Sequence, residues 1–160
     1  MKKKLFIFSN ELVSLQDGKF YCDDIDLKST PEGLNKKFEV NLFAIKSKKK
    51  KIHEIKIKKV KVINNLLSYI TSAVAATKAE DSKYLIISIS PYTFVISLLL
   101  KILGKKPIVY LRSDGYEEYR SILGKIGPII YHIMFSIIAI VSDLISCREY
   151  ILRGKKGKIV

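Results

Sequence analysis

Arg112-Ser113-Asp114-Gly115 follow directly on a run of β-formers, Ile108 to Leu111. A guanidinium and a carboxylate at the end of one strand can hold hydroxyls and a phosphate together. Both make charge-assisted hydrogen bonds, and the guanidinium fork matches phosphate oxygens. Asp114 has three readings: a hydrogen-bonding group, a base, or a turn residue, since Asp-Gly is a strong turn dipeptide. Tyr116 and Tyr119 add flat apolar faces with polar tips, which suit a sugar ring. Glu117 and Glu118 read as solvated. A second charged pair, Arg148-Glu149, follows the apolar run 143–147 and is either a ligand contact or a surface pair.

Several common chemistries are missing. The residues after the first apolar run, "SNELVSLQDGKFY", hold a single glycine and no GxGxxG fingerprint. No GxxxxGK[ST] phosphate loop and no GxSxG nucleophile elbow occurs. Cys22, Cys147, His53 and His132 are isolated from one another, so no zinc-ligand spacing exists. Asp24-Ile25-Asp26 has the spacing of a metal-binding carboxylate pair, but it lies early in the chain and reads as an acidic loop. No metal and no cofactor is therefore expected. The basic runs "SKKKK" (47–51) and "RGKKGK" (153–158) lack interleaved aromatics, so nucleic acid is not an expected partner.

The elements that must position the polar groups follow from periodicity. Short apolar runs at 4–9, 38–45, 83–90, 107–112 and 143–147 predict buried strands. "IHEIKIKKVKVI" (52–63) alternates apolar and basic and predicts one half-buried strand. A helix is predicted over 64–79, with Leu66, Leu67, Ile70, Val74 and Thr77 on its inner face. Ser90-Pro91 opens a second helix, because Ser caps well and Pro needs no partner at the first position; Gly104 closes it. A long apolar helix is predicted over 121–141, a short turn or helix over 148–152, and a further strand from 157.

Strands alternating with helices imply right-handed crossovers, hence an α/β fold with a mostly parallel sheet and helices on both faces. Ligands of such sheets sit outside the carboxyl ends of the strands. The candidate positions there are Ser9-Asn10, Ser88 to Ser90, Arg112 to Gly115, and Cys147 to Glu149.

Composition sets the frame. The chain has 160 residues, 48% hydrophobic and 28% charged, which suits one compact globular domain. A net charge of +14 attracts polyanions, although Lys- and Ile-rich composition also arises from AT-rich coding. Two distant thiols suit a reducing cytoplasm. The N-terminal apolar run, Leu5 to Phe8, is too short for a secretory signal. The uncharged stretch 126–141 has sixteen residues, fewer than the roughly 20 needed to span a bilayer. It is expected to pack on the sheet and offer one face to a membrane surface or a partner. Lys101, Lys105, Lys106 and Lys125 lie near it and suit anionic headgroups.

From Lys83 to Val160, the strand "PIVYLRSDGYEEY", the apolar helix, the strand "DLISCREYIL" and the terminal "GKIV" resemble the N-terminal half of a GT-B glycosyltransferase. The nearest group is the large retaining family 4. The resemblance implies a Rossmann-like, acceptor-binding domain over 1–160, with a nucleotide-sugar domain expected only beyond Val160. It places the sugar-facing catalytic-side residue at Asp114. It implies substrate contacts at Arg112, Ser113, Arg148 and Glu149; Asn10, Ser90 and Gly115 are expected substrate contacts from their strand-end positions.

The family's first-strand loop is usually richer in glycine. Here only Asp17-Gly18 remains, so donor-phosphate contact there is not implied. The implied partners are a sugar acceptor, and a sugar nucleotide only in company with a donor domain on the same or a separate protein. The implied location is cytoplasmic, peripheral on the inner face of a membrane whose anionic surface would be a further partner. Two rival readings stand beside it. One is a non-catalytic membrane-peripheral interaction module. The other is a flavodoxin-like nucleotide-binding protein, against which stands the missing phosphate-cradling glycine loop.

Overall fold

The computed structural model describes residues 2–160. They form two compact units, one ending at Tyr84 and one running from Leu85 to Val160.

The first unit holds β1 (Lys4–Gln16), β2 (Lys19–Cys22), α1 (Ile25–Leu34), β3 (Glu39–Lys46), β4 (His53–Glu54), β5 (Lys59–Ile63) and α2 (Leu66–Thr77). β3 runs parallel to β1 on one side and to β5 on the other. Leu5 to Phe8 and Leu42 to Ala44 are all buried, which is why these runs read as continuous apolar strands. Phe8 stacks on Phe43 with centroids 4.8 Å apart.

Three expectations about strands and loops fail in this unit, each for a local reason. β1 does not end near Ser9. It shifts register between Phe8 and Leu12, then turns back antiparallel through β2. Asp17 and Gly18 both have positive φ (48° and 75°), the geometry of a tight hairpin turn between twisted strands. The glycine weighed as a remnant of a phosphate loop is thus a hairpin glycine. The 52–63 run is two strands rather than one: β4 pairs antiparallel with β2, and β5 pairs parallel with β3. Ile55 and Ile57, between them, are buried. Asp24 is no loop carboxylate. It caps α1, accepting from the Leu27 amide at 2.7 Å.

α2 forms where expected but presents another face. Leu66 and Leu67 are exposed, while Tyr69, Ser72, Ala73 and Ala76 point inward. Small residues let the helix lie close. Tyr69 fills the space beside Phe8 (centroids 5.7 Å) and donates to the Ser9 carbonyl at 3.0 Å.

The second unit takes in the end of β6 (Ser82–Ile87), then α3 (Pro91–Ile102), β7 (Ile108–Leu111), α4 (Gly115–Leu123), α5 (Gly127–Val141), β8 (Asp143–Ser146), a 3-10 turn (Glu149–Leu152) and β9 (Gly157–Ile159). Its strands pair in parallel in the order β6, β7, β8, β9. Ser90 caps α3 with Thr93 in a reciprocal box and Pro91 opens it, as expected. Gly104, at φ 72°, ends it. The fold is mixed α/β, with mostly parallel strands joined through helices.

The expected helix over 121–141 starts earlier and is two helices. Asp114 caps α4, accepting from the Tyr116 amide at 3.0 Å. The chain then bends at Gly124 (φ 63°), and α5 packs back on α4. Two glycines permit the approach. A Cβ on Gly115 would meet the Tyr131 ring at 2.1 Å, and one on Gly127 would meet the Tyr119 carbonyl oxygen at 2.0 Å. Among the described residues, the run long and apolar enough to cross a membrane is Gly115–Val141. The bend divides it. α5 alone has 15 residues, about 22 Å at 1.5 Å each, against a hydrocarbon core of about 30 Å.

Gly127→Ala should destabilise the protein by about 1–3 kcal/mol, because the new methyl meets backbone that cannot rotate away. Gly33→Ala, within α1 and facing open space, should leave stability unchanged or raise it by about 0.5–1 kcal/mol. Thermal melts of the two variants beside the parent check both values.

Candidate binding site at the strand ends of the second unit

The carboxyl ends of β6, β7 and β8 carry the polar groups. Ser88 follows β6 in a left-handed conformation, φ 62°. Its amide donates to the Tyr110 carbonyl at 2.9 Å, and its own carbonyl accepts from the Thr93 hydroxyl at 3.0 Å. Those bonds hold a backbone that is unfavourable for a residue with a side chain. The Ser88 hydroxyl faces Arg112, whose Nε donates to it at 3.4 Å. Arg112 is half-buried, so its charge acts in a medium less screening than water.

Asp114 has both carboxylate oxygens engaged. Oδ1 caps α4, and Oδ2 accepts from the Arg153 guanidinium at 2.5 Å. Asp114 is mostly buried while Arg153 is nearly half exposed. The same guanidinium lies over the Tyr116 ring, 5.0 Å from its centroid. Tyr116 in turn shares a 2.8 Å hydrogen bond with Nδ1 of His132 and meets Tyr131 edge-on at 4.9 Å. Burial raises the Tyr116 phenol above its ordinary value, with Arg153 pulling the other way. Burial pushes Tyr131 up more strongly. Both phenols therefore stay protonated near neutral pH and can donate.

The other expected residues divide. Ser113 lies with Ser88, Leu111 and Arg112 around a recess of about 10 Å³, room for a water at most. Gly115 lines it too, but is needed for the Tyr131 ring. Ser90 is taken up by its capping box: its hydroxyl accepts from the Thr93 amide at 3.3 Å, and its amide donates to the Thr93 hydroxyl at 2.8 Å. Arg148 and Glu149 are exposed, and Arg148 donates to the Tyr150 hydroxyl at 3.2 Å. Cys147 sits beside them, its thiol 3.7 Å from the Arg112 carbonyl. Asn10 belongs to the first unit, within β1 near its register shift. Its Oδ1 is buried with no hydrogen-bond partner among the described residues. Among the described residues there is no cluster of three or more metal-ligating side chains.

Sequence reasoning missed Arg153 and His132 as parts of this constellation. Arg153 lies in the basic run 153–158, where composition outweighs position. Nothing local marks it as the partner of a carboxylate 39 residues earlier. His132 was legible only as an odd polar residue in an apolar helix.

No protein-family model matches this chain, and no curated protein does. Among solved structures, it is similar to the UDP-GlcNAc 2-epimerase from Methanocaldococcus jannaschii, with a TM-score of 0.52 and 13% identity. The match covers 94% of this chain and 41% of that one. At that identity the likeness concerns fold alone: Rossmann-like α/β of the GT-B kind, spanning less than half the length of the epimerase.

Asp114→Ala should lose about 1 kcal/mol through the cap alone, whereas Asp114→Asn should keep the cap and most of the stability. Arg153→Ala should cost at most about 1 kcal/mol, because its end of the pair is solvated. Chemical denaturation of the three variants checks this order.

Proposed function

We propose that this chain is the acceptor-side half of a GT-B glycosyltransferase, nearest to the retaining family 4, which acts with a nucleotide-sugar domain. The observation that carries the reading is that two contacts, Arg112 to Ser88 and Arg153 to Asp114, follow the carboxyl ends of parallel strands in a GT-B-like fold. The narrowness of the recess supports the same view: one wall is present, and a sugar would need a second.

In this reading the sugar's anomeric carbon leaves a phosphate oxygen of the donor and bonds to an acceptor hydroxyl. The hydroxyl proton is released to a carboxylate or to the departing phosphate. Arg112 and Arg153 face the charge that builds on that phosphate, where preorganised cations act most strongly. A donor phosphate competes with Asp114 for Arg153. The carboxylate it frees then accepts from a sugar or acceptor hydroxyl and holds it in line.

Calorimetry with UDP-GlcNAc, UDP-glucose and GDP-mannose tests this. The expected result is no binding to the chain alone and binding when a GT-B donor-domain protein is co-expressed with it. Tight binding by the chain alone would move the nucleotide site into this unit and favour the flavodoxin-like reading.

A further inference from the structure

The second unit has a surface at α5 that the strand-end site does not use. α5 buries Tyr131, Met134, Phe135 and Ile138. Its opposite face leaves Ile129, Ile133 and Ile140 exposed at 61%, 55% and 83%. Their spacings of four and seven put them on one side of a helix. Ile126, in the turn before α5, and Ile122, late in α4, are exposed too (57% and 73%). No charged residue occurs from 126 to 142. A run of bare isoleucines on a folded surface marks a place where something apolar docks.

Cations lie at both ends of this run. Lys125 precedes Ile126. At the other end, Ile140 lines a groove of about 650 Å³ together with Lys101, Lys106, Lys156 and Lys158. Four ammonium groups there face one carboxylate, Asp143, which Lys106 pairs at 2.8 Å. Ser142 lines the same groove, and its Oγ is buried without a hydrogen-bond partner among the described residues.

We propose that this face is a membrane-surface site. α5 lies along an anionic bilayer with its isoleucines at the acyl boundary, and the lysine groove at its end takes the phosphate of a lipid headgroup. Charge selects this occupant. A second copy docked through the same face would set lysines against lysines. A nucleic acid would meet about 22 Å of uncharged helix between its contacts. Apolar insertion with flanking cations is the pattern by which helices lie in an anionic interface. The inference rests on this surface alone and not on the acceptor-side reading.

The test is flotation of the full chain with vesicles of equal parts phosphatidylglycerol and phosphatidylcholine, beside vesicles of phosphatidylcholine alone. The parent should float with the first and not the second. Lys156→Gln and Lys158→Gln should each weaken binding roughly fivefold, from about 1 kcal/mol per cation near the surface. Ile129→Ser with Ile133→Ser should abolish flotation with net charge unchanged, and circular dichroism should show the fold intact. Flotation that ignores the isoleucine changes would overturn the proposal in favour of simple polyanion binding, as would equal retention on RNA. A dimer dispersed by the same two changes, with no flotation by the parent, would assign the face to a second copy.

Discussion

The second unit depends on one close approach, that of α4 to α5. It is possible only because Gly115 and Gly127 leave room where any Cβ would strike a tyrosine ring or a backbone carbonyl. Once the helices meet there, Tyr131 and Phe135 must turn inward, stacked 5.9 Å apart. Helical geometry then sends Ile129, Ile133 and Ile140 outward. The same contact sets where α4 begins, and so where Asp114 stands at the end of β7. The strand-end site and the isoleucine face are two consequences of one packing decision.

Asp114 joins backbone and electrostatics at this point. A capping carboxylate satisfies an amide that the helix cannot. Here its second oxygen is held by Arg153, which also covers Tyr116. The arrangement holds a cation beside a carboxylate, one residue before Gly115, which lines a recess of about 10 Å³.

Much of the fold was legible in the sequence, and the exceptions share a cause. The strands from 83 onward, the Ser90 cap and the parallel order could be read because buried parallel strands are continuous apolar runs. The hairpin at Asp17-Gly18 was missed because its glycine was weighed as part of a phosphate loop, although Asp-Gly is a strong hairpin signal. The inner face of α2 was misread because bulk was taken for burial, whereas Ala73 and Ala76 lie inside and Leu67 outside. α4 was missed because Asp-Gly was weighed as a turn, and the glycine's reason for being there, the Tyr131 ring, lies sixteen residues away. The site was half legible. Strand-end logic placed Arg112 and Asp114 just past β7, whereas Arg153 reaches Asp114, and His132 reaches Tyr116, only through tertiary packing.

In the proposed function, the strand ends of the second unit form one wall of a sugar-nucleotide cleft completed by another domain. The most direct measurement is nuclear magnetic resonance of the isotope-labelled chain, titrated with a donor-domain protein and UDP-GlcNAc. Amide shifts should concentrate at 88–90, 111–116, 146–149 and 153, and appear only when both additions are present. Shifts elsewhere in the chain, with these amides unmoved, would contradict it.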